Sequence, residues 1–312
     1  MPRRNPPPTP DVWLALAGVY VVWGSTYLAI RYVVTTFPPF LMAGSRFLLA
    51  GLLLYALTRF RRVKRPTMNQ WKNSAIVGFL LVFCSNGGVS WAEREVPSGI
   101  AALLVATVPL WMAVGAWVWK KGKRPNLLVS CGLAMGLAGV AVLVHPGFSF
   151  GEQKWSGWGV LVLSLTPVSW AIGSLYAHDA DLPDSPFLST AMEMITGGIF
   201  QLMGAVLLGE TSGFHLSQVS AASWTAWAYL GIMGSLVGFS SYIWVLHKAS
   251  PALASTYAFV NPVIAVILGW AWAGESLSPP VFLAAALIVA AVLLMTTQSL
   301  KPSEIHPEGV EK

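Results

Sequence analysis

Residues 39–51 read PFLMAGSRFLLAG, and residues 186–198 read PFLSTAMEMITGG. The two stretches share their first three residues and their last glycine, at a constant offset of 147 positions. Trp23 and Trp170 are related by the same offset. This agreement indicates that the chain contains an internal duplication.

Further along the chain the repeat continues with a slightly larger offset. An offset of 153 positions relates Trp91 to Trp244 and Pro109 to Pro262, so a few residues were inserted between the two blocks. A duplication of roughly 150 residues in a strongly apolar chain is typical of membrane transporters, which are commonly built from internal repeats around a central site.

The composition is that of a membrane protein. Only 10% of the residues are charged, whereas about a quarter are charged in soluble domains, and the mean hydropathy is +0.63. The apolar runs are too long and too continuous for the strands of a membrane barrel, so they predict helices. The pI is near 9.4, but no basic amphipathic stretch with interleaved aromatic residues supports nucleic-acid binding.

Charge clusters and turn residues divide the chain into ten predicted transmembrane helices of about twenty residues, enough to cross about 30 Å of hydrocarbon. The predicted spans are 11–34, 39–60, 70–92, 97–119, 126–145, 156–178, 185–208, 222–247, 250–273 and 278–298. Five spans per half is an odd number, so the second half enters the bilayer from the opposite side. The sequence therefore predicts an all-α polytopic membrane protein of two inverted five-helix repeats.

The predicted organisation has four parts. Residues 1–10 are a Pro-rich, disordered tail, residues 11–147 and 156–298 are the two repeats, and residues 299–312 are a polar tail.

The basic residues support this topology. With the N-terminus in the cytoplasm, 15 of the 19 Lys and Arg residues fall on the cytoplasmic side, three fall outside and Arg46 lies within a span. This asymmetry fits the positive-inside rule. It predicts a multi-pass protein of a cell inner membrane, with both termini in the cytoplasm.

Pro109 and Pro262 lie near the middle of predicted spans four and nine. A proline at such a position removes a backbone hydrogen bond and kinks the helix. The matching placement in both repeats favours two hinges that shape a cavity at the membrane midplane. Inert packing kinks are the alternative, because transmembrane helices tolerate proline.

Trp23 and Trp170 lie near the midplane in segments rich in small and hydroxyl residues. Such segments usually mark helix–helix contacts, so one interpretation is packing. The other is a cavity wall that offers an organic solute, such as an amino acid, flat apolar surface and an indole N–H. Tyr257 is a weaker candidate of the same kind.

Arg46 and Glu193 are the only charged residues predicted to lie clearly within the bilayer, where a charge normally faces the protein interior or water. They correspond in the repeat, but their spans run in opposite directions. They would lie ~10 Å apart along the membrane normal, so we expect no direct ion pair. Arg46 is a candidate for binding a substrate carboxylate, and Glu193 is a candidate proton acceptor. Structural charges bonded to backbone or water are the alternative.

Two amides complete the predicted substrate-binding set. Asn86 precedes two glycines that interrupt span three, where a local unwinding would point its amide at a ligand. Asn261 precedes Pro262, and its amide can reach a polar ligand or a carbonyl that the proline leaves free. The sequence shows no metal-ligand spacing, phosphate loop or catalytic Ser/His or paired-aspartate arrangement, so we expect no metal, no cofactor and no enzymatic activity.

Several of these local motifs together resemble one transporter family. The motifs are VWGSTY at 22–27, SRFLLA at 45–50, TVPL at 107–110, NPV at 261–263 and GE at 274–275. They are similar to those of the EamA family in the drug/metabolite transporter superfamily, and the resemblance covers about residues 11–298.

The resemblance implies an inverted-repeat bundle with a central cavity that works by alternating access without ATP. It also implies amino acids or related metabolites as substrates, as in the aromatic amino-acid exporters. Small multidrug pumps, which resemble one half of this fold, carry an essential glutamate in their first span. No acidic residue lies in the middle of span one here, so proton coupling and facilitated diffusion both stay open.

The leading hypothesis is a secondary transporter, an exporter or facilitator, of small organic solutes and above all of amino acids. The alternative is an intramembrane enzyme that acts on lipid-linked substrates. Such an enzyme would need catalytic carboxylates, histidines or an activated serine clustered at one depth, and the sequence contains no such cluster.

Overall fold

The structure is a computed structural model that describes residues 9–119, 127–144, 156–248, 257–275 and 278–299. Within these residues every regular element is helical. The two predicted terminal tails lie almost entirely outside the described residues. Helical segments occupy all ten predicted spans, and the predicted fold of two inverted five-helix repeats is confirmed.

The first half contains seven α-helices and one π-helix. The α-helices are α1 (Pro10–Val33), α2 (Pro39–Phe60), α3 (Met68–Gly78), α4 (Gly88–Ala92), α5 (Ser98–Val105), α6 (Val108–Val118) and α7 (Leu127–Val144). The first π-helix, Phe79–Gly87, joins α3 to α4, so these three elements form one span.

The second half repeats this plan. Its α-helices are α8 (Gly157–Asp179), α9 (Pro186–Leu207), α10 (Ala221–Tyr229), α11 (Phe239–Lys248), α12 (Tyr257–Ala273) and α13 (Pro279–Ser299). The second π-helix, Leu230–Gly238, joins α10 to α11, and a short 3₁₀ turn at Leu216–Gln218 precedes α10. Each half therefore carries a π-helix in its third span.

Among the described residues, six helical segments are long and apolar enough to cross a membrane by length and composition alone. They are Pro10–Val33, Pro39–Phe60, Met68–Ala92, Ser98–Val118, Gly157–Asp179 and Pro186–Leu207. Val260–Ala273 and Pro279–Ala291 are shorter apolar helices of the second half. Hydropathy therefore supports most of the predicted spans of the first half by itself. Near the C-terminus, the prediction of the spans depends more on their correspondence to the first repeat.

Local sequence explains where several helices begin. A proline occupies the first turn of α1, α2 and α9, where its missing N–H has no helical partner to lose. At the start of α3, the Thr67 hydroxyl accepts the N–H of Gln70, and the Gln70 side chain accepts the N–H of Thr67. This reciprocal capping box satisfies two backbone donors that would otherwise be free.

The two stretches that reveal the repeat pack against each other, because they lie on α2 and α9. A Cβ atom added to Gly51 would lie 2.9 Å from the carbonyl oxygen of Ala191, and one added to Gly198 would lie 2.7 Å from the backbone nitrogen of Leu48. The two backbones therefore touch at glycines that correspond in the repeat. Small residues permit such close approach of helices in a membrane.

Span four differs from the continuous, kinked helix that the sequence predicts. The helix is interrupted at 106–107, which separates α5 from α6, and Pro109 lies in the first turn of α6. A proline at that position costs no helical hydrogen bond. Pro262, by contrast, lies inside α12. The two prolines therefore correspond in sequence but differ in local structure.

Candidate substrate-binding cavity

A cavity lies between the two halves of the molecule. It encloses about 700 Å³ of space between its atoms, including the part that opens to solvent. Its walls come from both repeats and include residues of both π-helices. Six of the predicted substrate-binding residues line it, namely Trp23, Arg46, Asn86, Trp170, Tyr257 and Asn261.

Aromatic rings form one wall of the cavity. The ring of Trp23 lies 5.3 Å from that of Phe239 and 5.0 Å from that of Tyr257, in edge-to-face arrangements. Trp170 also packs near Phe239, with the ring centres 6.3 Å apart. Phe239 thus neighbours both of the tryptophans that correspond in the repeat.

Trp23 is fixed in place by the second π-helix. Its indole N–H donates to the carbonyl oxygen of Gly234, with a nitrogen-to-oxygen distance of 3.3 Å. A Cβ atom added to Gly238 would lie only 2.5 Å from the same indole nitrogen. The missing side chain at Gly238 therefore makes room for the indole at the cavity wall.

Arg46 is the charged residue of the cavity wall. Its side chain is only 3% exposed, and the guanidinium carbon lies 4.2 Å from the centre of the Phe47 ring. Nη2 donates to Oδ1 of Asn86 at 2.7 Å, and Nη1 donates to the hydroxyl of Ser235 at 3.3 Å. Nε has no hydrogen-bond partner among the described residues. Nη1 and Nη2 of the guanidinium therefore have hydrogen-bond partners, and the Nε–H has none among these residues.

The two partners of Arg46 come from the two π-helices, one in each half. Asn86 lies in Phe79–Gly87 and Ser235 lies in Leu230–Gly238. Single π-turns inside helices are frequent at functional sites. The sequence indicated a local irregularity at Asn86, but Ser235 was missed because a serine in an apolar, glycine-containing run usually marks helix packing.

Asn261 links two helices at the cavity. With its amide oriented so that nitrogen faces acceptors, it donates to the carbonyl oxygens of Tyr257 at 3.1 Å and Tyr20 at 3.2 Å. It therefore ties α12 to α1, next to Pro262.

Pro109 lies beside the cavity without lining it. Val105 and Val108, which flank the interruption between α5 and α6, both line the cavity. The non-helical step that precedes Pro109 is therefore part of the wall.

Glu193 is not among the residues that line the cavity. It is partly buried on α9, where its Oε1 accepts the hydroxyl of Ser189 at 2.9 Å. One turn further on, the hydroxyl of Thr196 donates to the carbonyl oxygen of Ser74 on α3. The geometry gives a substrate-binding role of Glu193 no support, and that role stays a prediction.

The structure adds a buried carboxyl group that the sequence analysis omitted. Glu93 directly follows α4, is 0% exposed, and neither carboxyl oxygen has a hydrogen-bond partner in the described part of the chain. Nη1 of Arg31 donates instead to the backbone carbonyls of Glu93 and Arg94. Hydropathy places Glu93 at a span end among other charges, so nothing in the sequence distinguishes it from an exposed residue.

Two other carboxylates lie outside the spans and hold the first turns of helices in the first half. Oε2 of Glu210 accepts the N–H of Leu41 at 2.9 Å. Oε1 of Glu275 accepts the N–H and the hydroxyl of Ser98, both at 2.7 Å. Burial raises the pKa of Glu210, although the N–H of Leu41 favours the ionised form. These contacts join the second half to the first where α2 and α5 begin.

Comparison with known proteins gives the family. Residues 10–145 and 157–297 each match the EamA-like transporter family. The chain is 39% identical to the inner membrane transporter YedA of Escherichia coli strain K12 over 283 residues, 90% of this chain and 89% of that protein. It is 27% identical to a probable terminal-alkyne amino-acid exporter of Streptantibioticus cattleyicolor over 291 residues, 93% of this chain and 94% of that one.

A solved crystal structure shares the fold. The match covers 93% of this chain and 99% of the other, with a TM-score of 0.62 and 22% sequence identity. The duplicated sequence, the helical bundle and the two family matches agree, and the chain belongs to the EamA-like transporter family of the drug/metabolite transporter superfamily.

Proposed function

We propose that this transporter carries small organic solutes, above all amino acids or related carboxylates, by alternating access, as an exporter or facilitator. One observation carries the proposal. A buried arginine, Arg46, lies on the wall of an aromatic cavity between the two halves, and no Asp or Glu of the described residues lies within 4 Å of its guanidinium. A cation in such a place favours an anionic ligand.

The free donor of Arg46 suits a carboxylate. Guanidinium groups bind carboxylates through paired N–H donors, and such charge-assisted bonds are stronger than those between neutral groups. Asn86 and Ser235 accept from Nη2 and Nη1, while Nε is left without a partner. A bound carboxylate would balance the buried charge of Arg46.

The aromatic wall suits the rest of an amino acid. Trp23, Phe239 and Trp170 offer apolar ring surface in the cavity that Arg46 also lines, which favours apolar or aromatic side chains. The faces of Trp and Tyr rings also attract an ammonium group. A relative named as an amino-acid exporter supports the same substrate class.

The cavity lining favours binding over chemistry. Among the described residues it includes no His, Cys, Asp or Glu, which are the side chains that most often transfer protons or attack a substrate. We therefore propose a transporter without enzymatic activity, rather than an intramembrane enzyme acting on lipid-linked substrates.

Counterflow in proteoliposomes tests the proposal. Vesicles preloaded with L-phenylalanine should accumulate labelled L-phenylalanine, while L-phenylalaninamide, which lacks the carboxylate, should compete poorly. Arg46→Ala should reduce counterflow by at least tenfold, because a charge-assisted bond contributes about 1.5–3 kcal/mol. Arg61→Ala removes a charge from an exposed side chain and should leave counterflow unchanged. Equal competition by the amide and the amino acid would reject carboxylate recognition.

We also propose that the protein lies in the inner membrane with both termini in the cytoplasm, as the basic residues predict. Labelling of single cysteines placed at each terminus should give both the same accessibility as a cytoplasmic marker. Accessibility of either terminus from the outer side of intact cells would refute this topology.

A further inference from the structure

Glu93 is an unusual group for a folded protein. Both of its carboxyl oxygens are buried, and neither has a hydrogen-bond partner among the described residues. Buried polar atoms are nearly always paired, and an ionised carboxylate without a partner is costly to remove from water. Burial therefore favours the neutral, protonated form of Glu93 in this conformation.

Charged groups from several elements nevertheless surround Glu93. Arg31 and Tyr27 on α1, Arg46 on α2 and Glu275 after α12 lie close enough to interact with it electrostatically. The two arginines favour the ionised carboxylate, whereas the carboxylate of Glu275 opposes it. These opposing influences make the charge of Glu93 responsive to a change in its surroundings.

Glu93 lies next to the proposed binding site. Val89, one helical turn earlier in the same span, lines the cavity, as do Tyr27 and Arg46. The interaction between Glu93 and Arg46 is reciprocal, because each guanidinium or carboxylate charge stabilises the other. An ionised Glu93 would therefore compete with a substrate carboxylate for the charge of Arg46.

We propose that Glu93 is a proton-binding site that controls the charge available at Arg46. With Glu93 protonated, Arg46 is free to bind a substrate carboxylate. With Glu93 ionised, Arg46 is partly neutralised and the substrate binds more weakly. Substrate and proton therefore occupy the carrier together, which fits a facilitator and not an exporter driven by proton entry. This inference rests on the proposed function, because it needs a carboxylate ligand at Arg46.

The protonation of Glu93 sets the direction in which substrate affinity changes with pH. Substrate affinity is greatest at low pH, where Glu93 is protonated, and it falls as pH rises and Glu93 ionises. A buried charge close to Arg46 should change carboxylate affinity by about tenfold at the dielectric of a protein interior. The carboxylate of phenylalanine stays ionised between about pH 5 and pH 8, so the ligand does not supply this effect.

The test measures phenylalanine binding to the purified full-length protein by calorimetry at several pH values, in buffers with different heats of ionisation. Wild-type protein should bind about tenfold more tightly at pH 5 than at pH 8 and should take up protons on binding. Glu93→Gln imitates the protonated group, so it should bind tightly at every pH with no proton uptake. Glu95→Gln, the matched control, removes an exposed carboxyl group two residues away and should keep the wild-type behaviour.

Wild-type binding that is independent of pH, or a Glu93→Gln variant that retains proton uptake, would overturn the proposal. If phenylalanine neither binds nor shows counterflow, the proposed function fails for this ligand, and a second readout still tests Glu93. Dicyclohexylcarbodiimide, a lipid-soluble reagent for protonated carboxyl groups, should modify Glu93 at pH 5 and progressively less as pH rises. Peptide mapping that finds no adduct on Glu93 at any pH would refute a protonated carboxyl there.

Discussion

Substitution of Asn86 tests how the cavity positions its arginine. Asn86→Ala removes the closer of the two acceptors of Arg46, at 2.7 Å from Nη2, and leaves the hydroxyl of Ser235, at 3.3 Å from Nη1. The freed guanidinium should sample other rotamers, which would weaken its contact with the substrate carboxylate. We expect Asn86→Ala to weaken substrate binding while the protein still inserts and folds.

The strengths of the two hydrogen bonds set the expected loss of substrate affinity. A bond in which one partner is charged contributes about 1.5–3 kcal/mol, so loss of the Asn86 contact should weaken affinity by ~10-fold to ~150-fold. The bond to Ser235 has the same charged donor but is longer, at 3.3 Å, so its loss should weaken affinity less, by ~10-fold at the low end of the same range. The order of the two effects is therefore fixed by geometry: Asn86→Ala should exceed Ser235→Ala.

Competition in the counterflow assay measures both effects. Phenylalanine affinity should fall in the order given, whereas affinity for phenylalaninamide should change little, because the amide makes no ion pair with Arg46. Asn86→Asp places a carboxylate against the guanidinium and should weaken phenylalanine binding more than Asn86→Ala.

A greater loss of phenylalanine binding in Ser235→Ala than in Asn86→Ala would refute the leading role of Asn86 in orienting Arg46. Equal weakening of phenylalanine and phenylalaninamide in both variants would show that Asn86 and Ser235 shape the cavity without orienting a charge.

Two further substitutions test the packing and the hinges. Gly198→Ala should lower the free energy of unfolding in detergent by about 1–3 kcal/mol, because the new Cβ would lie 2.7 Å from a backbone nitrogen of α2. A Cβ added to Gly18 meets nothing within 4 Å, so the control Gly18→Ala should be neutral or stabilising. A melting temperature that is lower for Gly18→Ala than for Gly198→Ala would contradict this account. Pro262→Ala restores a hydrogen bond inside α12, whereas Pro109 lies in a first helical turn where no such bond is lost. Pro262→Ala should therefore slow initial counterflow more than Pro109→Ala does. Equal or reversed rates would remove the proposed difference between the two hinges.

Most of the fold can be predicted from the sequence, because few folds are stable in a bilayer. Apolar runs of about twenty residues must be helices, and five spans per repeat must produce inversion. The close contact of α2 with α9 was not predicted, although Gly51 and Gly198 permit it. The interruption at 106–107 was not predictable in detail, because a mid-span proline indicates an irregularity without saying on which side the helix breaks.

The candidate site was predicted in part for a related reason. Tryptophan, arginine and asparagine are conspicuous in an apolar span, so Trp23, Arg46 and Asn86 stand out without a structure. Ser235 has an ordinary side chain, and only the register of a π-helix brings it to Arg46. Glu93 lies among exposed charges in sequence, and its burial depends on packing between distant segments. Residue type thus predicted the conspicuous members, and tertiary contact decided the others.

The glycine contact between α2 and α9 has a mechanical consequence. Where two backbones already touch, the helices cannot move closer. The contacts of Gly51 with Ala191 and of Gly198 with Leu48 therefore set the shortest distance between α2 and α9. Any movement that keeps these contacts must tilt or slide the two helices past each other, without bringing their axes closer together.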